Sequence, residues 1–333
     1  MSMSFLMCSE RSGSNLIVKL LNGHSNVCGP STKHIINPVA RNLFRYEDVR
    51  NEDNWNSLLN DISNLMNVEF SVWRKSFSPD ELQELAPRGD ISLLIRNIFL
   101  EEARANGKQH VFIKENQVYE FLPFLLINFP EAKYIYQVRD PRDMALSWKK
   151  NADHPGGVVK AARQWQKDQQ STLKNYNELR KIGKAHFVKY EDLIENPKSV
   201  TRGICDFLGF PYEDSILEFY KDDVTQKNAS MQKAWNNLSK AVLKDNKNKY
   251  GAELTQEEIM AIEKICYFEM AHLSYNTEFS MEELNSVGEE KLKLLEKHEE
   301  ENLELKRSVG VNMNMEAKKR FYQRTGSRKI DEI

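Results

Sequence analysis

Little in this sequence points to a membrane, a metal or a disulfide framework. The apolar stretch Phe121–Phe129 is far too short to span a bilayer and holds a proline and an asparagine. Met1–Cys8 is apolar but has no basic region before it, and Glu10 and Arg11 end it, so it does not read as a signal peptide. Four cysteines (Cys8, Cys28, Cys205, Cys266) are scattered among 333 residues with no CxxC spacing. That argues against a zinc site or disulfides and for a reducing, cytoplasmic setting. His24, His110, His154, His186, His272 and His298 form no ligand-like cluster, so no metal is expected. A net charge of −2 gives no overall pull toward nucleic acid or anionic lipid, so any anion site must be local. No internal repeat is visible.

What is present is ordinary globular material, 40% hydrophobic and 29% charged. The length suits one large α/β domain with an appendage, or two small domains. Ser4–Cys8 reads as a buried strand, followed by a polar turn at 9–14 and a helix, Asn15–Leu21, closed by Gly23. Residues 26–38 are rich in turn formers. Helical patterns run through Asn42–Met66, then Asp80–Leu85 behind the cap Ser78-Pro79, and Ile91–Ala105. Gln109–Lys114, Lys133–Arg139 and Ala185–Tyr190 read as further strands. Between and after them lie helices at Val118–Phe129, Arg142–Lys150, Val159–Arg180, Ser199–Leu208 and Gln256–Ala271. Strands separated by helices predict a mostly parallel central sheet flanked by helices. From about Met281 the composition turns to Glu, Lys and Leu, with Leu292, Leu295 and Leu303 spaced too irregularly for a coiled coil. We therefore expect a main domain over 1–280 and a charged helical extension over 281–333, outside the catalytic core and available for self-association or a partner.

Two segments carry chemistry. Ser9-Glu10-Arg11-Ser12-Gly13-Ser14-Asn15 follows a strand and opens a helix. Gly13 allows close backbone approach, the helix start offers free N–H groups, and Arg11, Ser12 and Ser14 add donors suited to a phosphate. By itself the segment also reads as a plain turn before a capped helix. It lacks the GK[ST] of an ATP-binding P-loop, which weighs against a kinase. The second segment is Val138-Arg139-Asp140-Pro141-Arg142-Asp143, with Ser147 and Trp148 beyond it. Arg139 at a strand's end and Ser147 on the next helix can converge on one anion at the sheet's ligand edge.

Together these two segments closely resemble the two cofactor-binding motifs of the sulfotransferase superfamily that uses 3'-phosphoadenosine-5'-phosphosulfate (PAPS). The resemblance continues through Phe112-Ile113-Lys114, through Val188-Lys189-Tyr190-Glu191-Asp192-Leu193 with Pro197, and through Leu254-Thr255, covering about residues 3–277. It implies a P-loop NTPase-like three-layer α/β fold and PAPS as co-substrate, leaving PAP as product. Arg11, Ser12, Gly13, Ser14 and Asn15 would hold the 5'-phosphosulfate, Arg139 and Ser147 the 3'-phosphate, and Tyr190 would lie near the adenine. Lys249 is a candidate for closing over the nucleotide. Arg11 stands where cytosolic small-molecule members usually have lysine, so the loop looks more like that of carbohydrate and protein sulfotransferases and their bacterial relatives. The acceptor is accordingly expected to be a hydroxyl on a glycan or similar compound. Where cytosolic members have Lys-Thr-His, this chain has Lys114-Glu115-Asn116, so their usual basic histidine is missing. His34 is the favoured replacement base and Glu115 the second, with Lys114 placed to meet the sulfonate or the acceptor oxygen. Two other readings stay open: a nucleotide-dependent kinase, and a non-catalytic nucleotide-binding scaffold.

Overall fold

The computed structural model describes residues 2–151, 154, 156–231, 233–301 and 309–324. Five strands, β1 (Met3–Cys8), β2 (Val27–Cys28), β3 (His110–Lys114), β4 (Lys133–Val138) and β5 (Ala185–Lys189), form one sheet in the order β2-β3-β1-β4-β5. Every pairing is parallel. All six residues of β1 are buried, as a central strand covered on both faces requires. Its side chains alternate between two cores. Phe5 and Met7 join Tyr134 and Tyr136 on one face, while Leu6 and Cys8 join Phe112 and Ile135 on the other.

Helices cover both faces. α1 (Ser14–Asn22) buries Ile17, Leu20 and Leu21 in the second core. On the first face lie α2 (Ile36–Asn42), α3 (Glu52–Met66), α4 (Pro141–Lys149), α5 (Gly157–Lys181) and α6 (Gln256–His272). Local chemistry sets several ends. Thr255 and Ser78 each form a capping box, with Glu258 and Glu81 respectively. No described helix is long and apolar enough to cross a membrane.

Four details depart from the sequence expectations. Val27–Cys28, inside a turn-rich stretch, forms a short edge strand on β3. The pattern over Asn42–Met66 is not one helix: a 3₁₀ turn at Leu43–Tyr46 intervenes, and the Asn51 side chain accepts from Asp53 and Asn54 N–H to start α3 afresh. Val118–Phe129 splits into a 3₁₀ turn and Leu122–Asn128, because Pro123 belongs in a helix's first turn.

The fourth departure concerns the carboxyl-terminal segment, of which Leu303 and residues 325–333 lie outside the described residues. Its last described helix, α7 (Val309–Gln323), does not stand apart from the core. Phe321 is fully buried against Tyr46, with ring centroids 6.2 Å apart. Arg324 Nε lies 2.6 Å from Asp61 Oδ2, the same oxygen that accepts from Tyr46 Oη, and Asn314 Nδ2 donates to the Lys33 carbonyl. Composition pointed to a charged helical extension outside the catalytic core, but buried Ala317 and Phe321 give α7 one apolar face, and α2 and α3 cover it. Phe321→Ala is expected to cost about 3–5 kcal/mol of that docking. Amide exchange should show it as lost protection across residues 309–323 with the sheet still protected.

Candidate active site

The loop after β1 is held by its carbonyl side. Ser12 Oγ donates to the Ser9 carbonyl (2.7 Å), and Gln137 Nε2 on β4 donates to the Ser12 carbonyl (2.7 Å). Gln169 Nε2 on α5 donates to Ser9 Oγ (2.8 Å) and is itself fixed by Tyr136 Oη (2.6 Å). Arg11 (φ 59°) and Gly13 (φ 81°) both adopt left-handed backbone, which curls the loop into a concave turn. Gly13 is required for space as well, since a Cβ there would lie 2.2 Å from the Tyr190 ring. No side chain caps α1; the Leu16 N–H bonds the Gly13 carbonyl, while the Ser14 and Asn15 N–H groups and the positive dipole end remain for a ligand.

Arg139, directly after β4, meets that loop. Its Nη1 donates to the Arg11 carbonyl (3.2 Å), its Nη2 to the Asn246 carbonyl (3.2 Å), and its guanidinium stacks over Tyr190 at 4.6 Å. Trp165 Nε1 holds the Arg139 carbonyl at 3.0 Å. The Arg139 Nε is buried and makes no hydrogen bond. Ser147, two turns along α4, accepts from Arg11 Nε at 3.1 Å, so the two predicted motifs touch each other directly.

The other charged residues of the second motif have structural work. Asp140 caps α4 and pairs with Arg142, which also pairs with Glu263 and lies over Tyr250. Asp143 accepts from the backbone N–H groups of Asn248, Lys249 and Tyr250, pinning that turn beside Arg139. From the turn, Asn246 Nδ2 donates to Tyr190 Oη (2.7 Å), and Lys249 Nζ donates to Asn246 Oδ1 (2.9 Å).

At the other end of the sheet edge, Lys114 ends β3 beside β1. His34, with left-handed backbone (φ 58°), brings its Nδ1 to 3.3 Å from Glu115 Oε2. Glu115 Oε1 accepts from Ile36 N–H (3.0 Å), while Oε2 makes no hydrogen bond. Burial pushes the Glu115 carboxyl up to about 7. Burial, helped by the charges of Lys318 and Lys114, holds His34 well below its ordinary value, so at neutral pH it is the free base.

This arrangement matches a known family. The sulfotransferase family matches residues 5–214, a span that contains both loops, Lys114, His34 and Tyr190. The chain belongs to the sulfotransferase family. Two solved domains of similar fold are the sulfotransferase domain from the curacin biosynthetic pathway and that from the Synechococcus PCC 7002 olefin synthase. The first is 19% identical with a TM-score of 0.54, covering 83% of this chain and 99% of that one. The second is 20% identical with a TM-score of 0.52, covering 80% and 95%. An uncharacterized protein of Aquifex aeolicus is 28% identical over 121 residues, 34% of this chain but only 16% of that protein's length.

In this sulfotransferase a single cavity of about 810 Å³ joins the two ends, within the usual range of small-molecule sites. Arg11, Gly13, Ser14, Asn15, Arg139, Ser147, Tyr190, Lys249, Lys114 and His34 all line it. Ser12 does not, its hydroxyl being spent on the loop, and Glu115 stands buried behind His34. Sequence reasoning missed Gln137, Trp165 and Asn246, which position the cavity's residues. Gln137 had one visible signal, an amide in an otherwise apolar and aromatic strand. Lys318 of α7 also faces the cavity, and nothing in its local pattern indicated that.

Two outcomes follow for the sulfotransferase. Gly13→Ala combines a left-handed backbone with a clash against a buried ring, so it should lower the melting temperature by several degrees and weaken nucleotide binding, read by thermal melts with and without ligand. For Glu115, the folded value lies above the ordinary 4.5, so its contribution to stability is complete below that pH and is lost as pH rises through about 7. His34, Lys114 and Lys318 are the ionisable groups that face it. Glu115→Gln should therefore gain stability relative to wild type between pH 5 and pH 8. Denaturant titrations at the two pH values check the sign.

Proposed function

We propose that this sulfotransferase moves the sulfuryl group of PAPS to an acceptor hydroxyl, on a carbohydrate or glycoconjugate, by in-line displacement. The observation that carries the reading is the contact between the two motifs. Arg139 Nη1 on the Arg11 carbonyl and Arg11 Nε on Ser147 bring the two candidate anion-binding motifs together in one cavity, which supports a single ligand held by both. The buried, unpaired Arg139 Nε is a donor without an acceptor, which a 3'-phosphate oxygen satisfies. ATP lacks that phosphate, and the loop lacks the lysine that would grip a γ-phosphate.

The donor supplies an activated sulfuryl group, and the residues here orient it and its acceptor. Arg11 and the first amides of α1 stabilise charge gathering on the leaving 5'-phosphate. Ser14 and Asn15 line the same end. Tyr190, stacked on Arg139 and held by Asn246, presents a flat face for the adenine, with Lys249 at the cavity's rim. His34 takes the acceptor proton, and Glu115 behind it fixes the ring and balances the imidazolium as it forms. Lys114 lies beside the acceptor oxygen. The cavity is also lined by Asn116, Asn237 and Trp235, hydrogen-bonding groups and an aromatic face, which suits a sugar. A reducing cytoplasm suits four buried free thiols. Helix Glu289–Glu301 packs on α5 through Leu292 and Leu295 and leaves Leu294 exposed for a partner.

The test is incubation with sulfur-labelled PAPS and a panel of glycans, lipids and phenols, together with calorimetric binding of PAP. Arg139→Ala should lose about 100-fold in PAP affinity while remaining folded. His34→Ala should keep PAP affinity and lose about 10²–10⁴-fold in kcat. Undiminished turnover in His34→Ala would remove it as base, and ATP binding more tightly than PAP would overturn the donor assignment.

A further inference from the structure

α7 lies beyond the matched family region, yet it forms part of the cavity wall, through Val311, Asn314, Met315 and Lys318. Its anchors (Phe321 under Tyr46, Arg324 on Asp61, Asn314 on the Lys33 carbonyl) lie to either side of Lys318 and hold it in register. Lys318 makes no hydrogen bond and no ion pair with any described residue, and it lies within electrostatic reach of Glu115, Glu10 and Lys114. Burial lowers its ammonium to about 8, so it still carries its charge at neutral pH. An amine kept charged in a protein wall without a partner is costly. An anionic ligand in the cavity removes that cost. Glu115 offsets only part of it, acting through space: its Oε2 lies 3.3 Å from His34 Nδ1, and no ion pair links it to Lys318.

We propose that Lys318 is a further catalytic residue, supplied by the carboxyl-terminal helix, whose ammonium contacts the sulfuryl oxygens of the donor during transfer. This rests on the reading of the protein as PAPS-dependent. The neighbours of Lys318 place it at the reacting end: Lys114 ends β3, and Glu10 precedes Arg11 in the loop assigned to the 5'-phosphosulfate. In the step itself the bond from sulfur to the bridging oxygen breaks, and its electron pair stays on the 5'-phosphate held by Arg11. The acceptor oxygen bonds sulfur and gives its proton to His34. Lys318 keeps its own proton throughout and acts as a fixed positive charge over the equatorial oxygens, opposite Lys114 and independent of the acceptor's identity.

Because the sulfonate is what distinguishes PAPS from PAP, the test needs no acceptor. PAP and PAPS affinities are measured by calorimetry for wild type, Lys318→Met, Lys318→Arg and Phe321→Ala, along with slow release of labelled sulfate from PAPS to water. Lys318→Met keeps the packing stem of the side chain. It should bind PAP as wild type does, bind PAPS about 10–100-fold more weakly, and release sulfate more slowly by a similar factor. Lys318→Arg should restore most of both, and Phe321→Ala, which undocks α7, should reproduce the Lys318→Met pattern. An unchanged PAPS-to-PAP ratio in Lys318→Met overturns the proposal and leaves Lys318 as a counter-charge to Glu115. Equal loss of both ligands also overturns it, by making the role structural. If wild type binds neither nucleotide, the PAPS reading itself has failed and this proposal falls with it.

Discussion

The parallel register of β1 between β3 and β4 is the constraint on which the site depends. Leu6 lies opposite Lys114 on one side and Cys8 opposite Gln137 on the other. All three strands therefore end at one edge, and the residues just past each end are forced together. Arg11 follows β1, Arg139 follows β4, and Lys114 and Glu115 close β3. A one-residue slip between β1 and β4 would turn Gln137 to the wrong face and release the Ser12 carbonyl. The Arg139 guanidinium would then lose the Arg11 carbonyl it bridges to, and the two anion-gripping loops would part.

Around that edge the chain arranges a local field that its near-neutral total charge conceals. Three backbone carbonyls of the first loop are claimed by side chains, Ser9 by the loop's own Ser12 hydroxyl, Ser12 by Gln137 on β4 and Arg11 by Arg139 just after it. The acidic residues nearby are turned to other uses. Asp143 gathers three backbone N–H groups of one turn and lies 3.7 Å from Arg139 Nη2, and Asp140 and Glu263 neutralise Arg142 in the core. What remains turned to the cavity around Arg11, Arg139 and Ser147 is mostly cationic or donating. Beside Lys114 sits a buried acid–imidazole pair, and there desolvation rather than a salt bridge sets the protonation states. Uncharged imidazole beside a carboxyl that ionises near neutrality is an arrangement suited to accepting a proton.

The carboxyl-terminal helix shows how a segment of unpromising composition becomes part of a site. Glu316, Lys319 and Arg320 lie on its exposed face, and Ala317 and Phe321 mark the buried one. A few buried contacts dock it, and the docked helix then adds Lys318 to a chamber whose other walls come from residues between Glu10 and Glu253.

By itself the sequence determined the strand–loop–helix units, the motifs at their junctions and the caps that start the helices, because each depends on residues close together in the chain. Alternation of β-branched and aromatic residues marked β4, Gly13 marked the tight loop, and Thr255 marked the start of α6. The edge strand β2 escaped notice, since two residues carry no periodicity and its pairing energy comes from β3. Only the tertiary structure decided that Arg11 bonds Ser147, that Glu115 stands behind His34, and that Lys318 reaches the cavity. These contacts join residues between about eighty and three hundred positions apart in the sequence, and burial and charge at that range are set by packing, which no local pattern encodes.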